Sequence, residues 1–341
     1  MQNTTLKEKL TEISKAVEPV IKQILMDNVD DSTKDMVFYQ CSLGGKRIRP
    51  ALVVLSGQVF GGDVDGLLFP AASVEVLHNS TLVIDDIIDH SDFRRDQPTV
   101  WKKYGKSMAE CVAFDYVASI FAGLSNTNNS KKLIDLYAKT LKVIVDGEIK
   151  DILFERAGRN DEDFVVTNRY KLITKEDYFK MISQKTAVLL QTSCKAGAIS
   201  ANASDEQVEL MGEFGFNIGL AFQIRDDMLD IFADEKEFGK KVGKDIIEKK
   251  MSNYIILLAL EQLGDDDKKS ITDLLEGPSG VTDADVAVVT KLVEKTSAKS
   301  DAEKTAEYFI DKAMDSLGKL PQNEATGYLA DLANFIVSRS K

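Results

Sequence analysis

Two aspartate triads carry the plainest chemistry in this chain. Asp85, Asp86 and Asp89 stand in LVIDDIID, and Asp226, Asp227 and Asp230 stand in FQIRDDMLD. On a helix, residues i and i+4 lie one turn apart on one face, so Asp85 projects with Asp89 and Asp226 with Asp230. Like charges so placed repel, and three carboxylates beside an apolar stripe must take up protons or attract cations. An oxygen-only donor set suits a hard divalent ion. Magnesium takes one or two carboxylates together with waters and substrate phosphates, and manganese accepts the same set. A single motif of this kind could be a solvated acidic helix end. Two, each closing an apolar helix, are a far more specific signal.

Positive charge is concentrated around these motifs. Arg94 and Arg95, shortly after Asp89, suit a diphosphate that bridges metal ions and guanidinium forks. Upstream, GGKRIRP places Lys46, Arg47 and Arg49 between the flexible Gly44-Gly45 and Pro50. It lacks the G-x-x-x-x-G-K-[ST] spacing of a nucleotide P-loop and reads instead as a basic cluster for a second anion. After the second triad, FGKKVGKDIIEKK supplies Lys240, Lys241, Lys244, Lys249 and Lys250.

The elements that must position these groups are helices. Apolar residues recur at helical spacing, as in Leu6, Leu10, Ile13, Val17, Ile21 and Leu25, and period-2 strands are scarce. The stretches 71–89 and 208–232 are apolar over most of their circumference, as in helices at the centre of a large bundle. Gly212, Gly215 and Gly219 in the second imply close packing or room for a ligand. Turn residues fall at Gly44-Gly45, Gly61-Gly62, Gln97-Pro98, 126–129, 158–163 and 277–280. No segment reads as an interdomain linker, so one all-α domain over 1–341 is expected, with an acidic, turn-rich surface excursion at 265–284.

The 341 residues are 44% hydrophobic, enough for a large core, which excludes disorder as the whole answer. A net charge of −12 argues against a nucleic-acid binder. Cys41, Cys111 and Cys194 form no C-x-x-C pair and imply neither a disulfide framework nor structural zinc. No secretory leader is visible and no apolar run approaches the roughly 18 residues that would suggest a membrane span. A cytoplasmic location without a transmembrane segment is therefore expected.

With GGKRIRP, LHNSTLVIDDIIDHSDFRRDQPTV, DGEIKDILFE, KEDYFKMISQKTAVLL, GLAFQIRDDMLDIFADEKEFGKKVGKD and LADLANFIVSR, the chain resembles the trans-isoprenyl diphosphate synthases, or polyprenyl synthetases, along nearly its whole length. The wording is most similar to archaeal members. The resemblance implies a single helical bundle of the isoprenoid synthase type around a deep central cavity, acting as a homodimer. The implied reaction joins isopentenyl diphosphate head-to-tail to an allylic diphosphate, with release of diphosphate. By the same resemblance, Lys46, Arg49, His78 and Arg95 match the isopentenyl diphosphate site. Arg94, Lys185, Lys240 and Lys250 match groups that hold the allylic diphosphate, and Thr186 and Gln223 match polar groups at the reacting carbon. The six motif aspartates match the magnesium sites, with Asp85 and Asp226 also assigned to catalysis together with Lys185, Thr186 and Gln223. Three positions depart from the family: Asp96 and Lys249 replace common glycines, and Phe114 stands where glycine usually precedes Asp115.

In such enzymes the product grows beside the first aspartate helix until bulky side chains stop it. Ser80 and Thr81 are small, and Leu77 lies about 5.4 Å, one turn, further from Asp85 than Thr81. The expected product is thus geranylgeranyl diphosphate or longer, with Phe114 or Phe121 as candidate floors. The alternatives are a farnesyl diphosphate synthase, a prenyl-diphosphate cyclase and a non-catalytic partner subunit.

Overall fold

The amphipathic repeat that opens the chain becomes a helix with Ile13, Val17, Ile21 and Leu25 on its buried face. The computed structural model describes residues 5–233, 242–277 and 279–338. In chain order it contains α1 (Leu6–Met26), α2 (Lys34–Ser42), α3 (Ile48–Val59), α4 (Val64–Ile88), a hairpin of β1 (Phe93–Arg94) and β2 (Gln97–Pro98), α5 (Val100–Tyr104), α6 (Lys106–Ser125) and α7 (Ser130–Phe154). Then follow α8 (Asp163–Asn168), α9 (Lys175–Ile182), a π-turn (Ser183–Ala187), α10 (Val188–Ser200), α11 (Asp205–Phe232), α12 (Lys244–Ile247), α13 (Tyr254–Gln262), α14 (Asp265–Glu276), α15 (Asp283–Glu294), α16 (Ala298–Leu317) and α17 (Glu324–Ser338). The all-α expectation holds, apart from the two-residue strands of the hairpin.

The chain packs as two compact units. The first comprises Met1–Leu141, Leu189–Gly215 and Ser316–Leu332, and the second comprises Lys142–Val188, Phe216–Asp315 and Ala333–Lys341. In the first unit α4 packs against α1, α3 and α6, and this explains its apolar circumference: Leu67, Val74, Val76, Leu77 and Val83 are all buried. Buried tyrosines find carbonyl partners, Tyr116 Oη donating to Val37 O at 2.6 Å and Tyr137 Oη to Pro70 O at 2.7 Å. Two described helices, α4 and α6, are long and apolar enough to cross a membrane by length and composition. The expectation that no apolar run approaches a span's length is corrected by these two helices, in which polar residues break up the apolar stretch. Most of the apolar window of α4 is buried inside the protein, as in a core helix.

In the second unit, Tyr178 of α9 stacks on Tyr254 of α13, with ring centroids 5.0 Å apart, and Phe179 meets Tyr254 edge-on at 5.4 Å. The expected surface excursion at 265–284 is instead largely α14, which buries Ile271 and Leu275. Its acidic run, Asp265 to Asp267, occupies the first turn, where the helix dipole favours negative charge.

Candidate functional site

Helix α4 ends at its aspartate motif, with Asp89 as C-cap and its N–H donating to Asp85 O at 2.8 Å. Asp85 and Asp89 are partly exposed, whereas Asp86 is 1% exposed. Arg94 grips Asp86, Nη2 lying 2.8 Å from Oδ1 and Nε 3.0 Å from the same oxygen. The pairing turns Asp86 inward and commits the guanidinium expected to meet the allylic diphosphate to a protein carboxylate.

Arg94 sits on the short hairpin whose turn residues, Arg95 and Asp96, both have positive φ, 52° and 60°. Consecutive left-handed residues are what a tight two-residue hairpin requires, which explains the usual glycine at 96, and aspartate tolerates the conformation. From this turn the Arg95 guanidinium donates to Gly44 O. A Cβ on Gly45 would lie 3.1 Å from Arg95 Nη2, so the glycine loop lets the arginine lie against it.

Arg47 overturns part of the basic-cluster reading. Its side chain is 1% exposed, with Nη1 2.7 Å from Glu75 Oε1 and Nε 2.7 Å from Glu18 Oε1. Nη2 also donates to Cys41 O at 2.9 Å. Two glutamates neutralise it, so it is a structural cation rather than an anion ligand. Lys46 is exposed, while Arg49 is partly buried and its Nε has no hydrogen-bond partner. Burial lowers the Arg49 pKa against the pull of Glu75. Burial also pushes His78 well below its ordinary value, and Arg49, Arg95, Arg94 and Arg47 push the same way. His78 is therefore neutral near pH 7, set among arginines with an orphaned donor.

Of the chain-length candidates, Leu77 and Ser80 are buried, with Ser80 Oγ donating to Leu77 O at 2.7 Å, and Thr81 and Phe121 are partly exposed. Phe114 is 79% exposed on α6, away from buried Ala113 and Tyr116. A ring so far into solvent does not line the interior of its own unit.

In the second unit, Lys185 and Thr186 lie on the π-turn. Lys185 Nζ is 2.6 Å from both Glu148 Oε2 and Asp151 Oδ2. Thr186 Oγ1 donates to Gln223 Oε1 at 2.8 Å, and Gln223 Nε2 donates to Asp227 Oδ1 at 2.9 Å, a chain that fixes which way the amide points. Asp227 is buried and also accepts from Tyr178 Oη and from the Tyr254 N–H, each at 2.9 Å. Asp226 is exposed. Asp230 accepts from the Lys244 and Asp245 N–H groups, both at 3.1 Å. Burial and neighbouring Asp245 push the Asp230 carboxyl up to about 7. Lys250 Nζ lies 3.1 Å from Glu248 Oε2. Lys249, with φ 59°, occupies a left-handed position natural to glycine, and its Nζ donates to Gly277 O. Lys240 lies outside the described residues.

In both motifs the middle aspartate is buried and held by the protein, and in the second motif Asp230 is also held, by two backbone N–H groups. Among the described residues no three acidic, histidine or cysteine side chains converge into a ready metal cage. Magnesium needs only one or two carboxylates when it arrives with waters and phosphate oxygens. Glu75, Glu148, Asp151 and Tyr178 belong to no charge cluster or aspartate motif that marks them in the sequence. The last three lie in DGEIKDILFE and KEDYFKMISQKTAVLL, so their neighbourhood was visible and their pairing was not.

A family model described as polyprenyl synthetase matches residues 30–294. The chain is 33% identical over 350 residues to a geranylgeranyl diphosphate synthase of Saccharolobus solfataricus, covering 100% of both. Among solved structures, a geranylgeranyl pyrophosphate synthetase from Pyrococcus horikoshii Ot3 superposes with a TM-score of 0.86 at 29% identity, covering 97% of this chain and 98% of that one. A polyprenyl synthase from Caulobacter crescentus CB15, complexed with calcium and isoprenyl diphosphate, gives a TM-score of 0.85 at 27% identity over 100% of both chains.

Proposed function

The chain belongs to the polyprenyl synthetase family, and from that premise we propose that it is a trans-prenyltransferase joining isopentenyl diphosphate to an allylic diphosphate. The product is geranylgeranyl diphosphate or a longer polyprenyl diphosphate. The observation that carries this reading is the buried, unpartnered Arg49 Nε beside neutral His78 and the Arg95 turn. A cationic cluster with a donor to spare, whose neighbouring Glu75 is already paired with Arg47, suits an incoming diphosphate.

Arg49, Arg95 and Lys46 hold isopentenyl diphosphate, and His78 contributes a neutral N–H that adds no further charge to the cluster. Asp85, Asp89, Asp226 and Asp230 would hold magnesium, which supplies charge neutralisation for the departing diphosphate. Lys185 and Lys250 bind the same anion, with Lys240 as the family's third such group. Loss of diphosphate breaks the allylic C–O bond and leaves a carbocation. Thr186 and Gln223 face it with oxygen dipoles rather than a thiol or amine that would trap it. The double bond of isopentenyl diphosphate then forms the new C–C bond, and the released diphosphate takes the proton lost from the adjacent carbon.

Residues 1–341 act as one synthase domain in the cytoplasm, and as a homodimer. Met108 and Phe114 stand out from the apolar helix α6, a face that a second copy would cover. The test is incubation with magnesium, labelled isopentenyl diphosphate and each allylic primer in turn, with dephosphorylated products sized by chromatography. Geranylgeranyl or longer products are expected. A stop at farnesyl keeps the enzyme and refutes the length assignment, and no elongation with any primer refutes the synthase.

A further inference from the structure

Lys185 and Thr186, neighbours in sequence, serve two different helices, and the turn that carries them is not α-helical. The π-turn Ser183–Ala187 interrupts one long helical path between α9 and α10. Such turns carry one extra residue per loop of backbone, bulge sideways, and survive where neighbouring structure holds them. Here each flanking helix presents a glycine to the bulge. On α7, a Cβ at Gly147 would lie 2.6 Å from Lys185 N and 2.8 Å from Gln184 Cβ. On α11, a Cβ at Gly219 would lie 2.6 Å from Ala187 Cα and 3.0 Å from its Cβ. Contacts so short to backbone atoms leave no room for any side chain.

The functional contacts radiate from the same two points. Glu148, next to Gly147, and Asp151, one turn on, are the partners of Lys185. Gln223, one turn after Gly219, accepts from Thr186. The helices must approach to glycine distance for these hydrogen bonds to close. Glycine inside a helix costs about 1 kcal/mol relative to alanine, a cost that close approach explains at both positions.

We propose that Gly147 and Gly219 are positioning residues for the ionisation step, a two-sided clamp that fixes the π-turn and with it the reach of Lys185 and Thr186. The inference rests on the prenyl transfer proposed above. Adding one methyl on either side displaces the turn, and a displacement on the order of 1 Å at a reacting centre is worth about 10²-fold in rate.

The test compares Gly147→Ala and Gly219→Ala with the parent enzyme, in parallel with Gly66→Ala on α4, where an added Cβ meets nothing within 4 Å. Turnover is expressed per folded molecule, counted by active-site titration, so that a partly unfolded variant still gives a value. The clamp predicts that kcat falls by about 10²-fold in both variants, that KM for the allylic diphosphate shifts, and that KM for isopentenyl diphosphate does not. Gly66→Ala should leave all three unchanged. A merely structural role would lower the unfolding midpoint and the folded fraction while kcat per folded molecule and both KM values stay at the parent's, and that result overturns the proposal. An inactive parent would instead overturn the prenyl transfer on which it stands.

Discussion

Replacing Arg47 by methionine removes a charge and keeps most of the aliphatic stem. The guanidinium is the counter-ion of Glu75, whose side chain is only 4% exposed and has one further donor, Asn79 Nδ2, at 3.2 Å. Breaking a buried ion pair from one side leaves the other charge uncompensated, at about 3–5 kcal/mol. Glu18, at the opposite end of the guanidinium, is 39% exposed, so Glu18→Gln should cost less than about 1 kcal/mol. Arg47→Met/Glu75→Gln removes both buried charges and should recover part of the loss, with a coupling energy of about 1–3 kcal/mol. Urea unfolding at fixed protein concentration measures the parent, the single variants Arg47→Met, Glu75→Gln and Glu18→Gln, and the double variant, so that the cycle closes. Steady-state kinetics should show KM for isopentenyl diphosphate raised in Arg47→Met, since the residue also anchors the Cys41 carbonyl and enters α3 from a left-handed φ of 48°. An Arg47→Met cost below about 1 kcal/mol, or strict additivity in the double variant, would refute the buried-triad reasoning.

Three further outcomes are expected. Burial raises the Asp151 carboxyl, but Lys185 and Lys250 outweigh it and hold the pKa down to about 2 against 3.8. A depressed carboxylate contributes stability present above its unfolded value, here about 2 kcal/mol above pH 4 and lost as pH falls through about 2; Asp151→Asn should flatten that limb of an acid-unfolding curve. Tyr178→Phe removes one of three donors to buried Asp227, at about 1–3 kcal/mol by calorimetry, with no loss if the tyrosine hydroxyl is a bystander. Ser80→Phe should shorten the product with little loss of stability if a channel runs past it. If the site is closed packing, overfilling instead destabilises by about 1–3 kcal/mol and the product distribution stays put.

The helical fold was legible because apolar period is a local property. The α1 repeat and the all-round apolarity of 71–89 and 208–232 each translate directly into burial. Spacing also placed Asp85 with Asp89 and Asp226 with Asp230, since a helix fixes that geometry by itself. Three features depend on the tertiary structure. Asp86 and Asp227 are indistinguishable from their neighbours in sequence, and only Arg94, Tyr178, Gln223 and the Tyr254 N–H decide that the middle carboxylates face inward. Arg47 looked like part of an anion site until Glu18 and Glu75, from two other helices, neutralised it. The excursion at 265–284 became a helix because Ile271 and Leu275 found a core to enter. Periodicity and spacing act within a few turns of chain, whereas charge compensation and burial are settled by partners far away in sequence. The residue types came from the chain, and their roles came from what folding brought beside them.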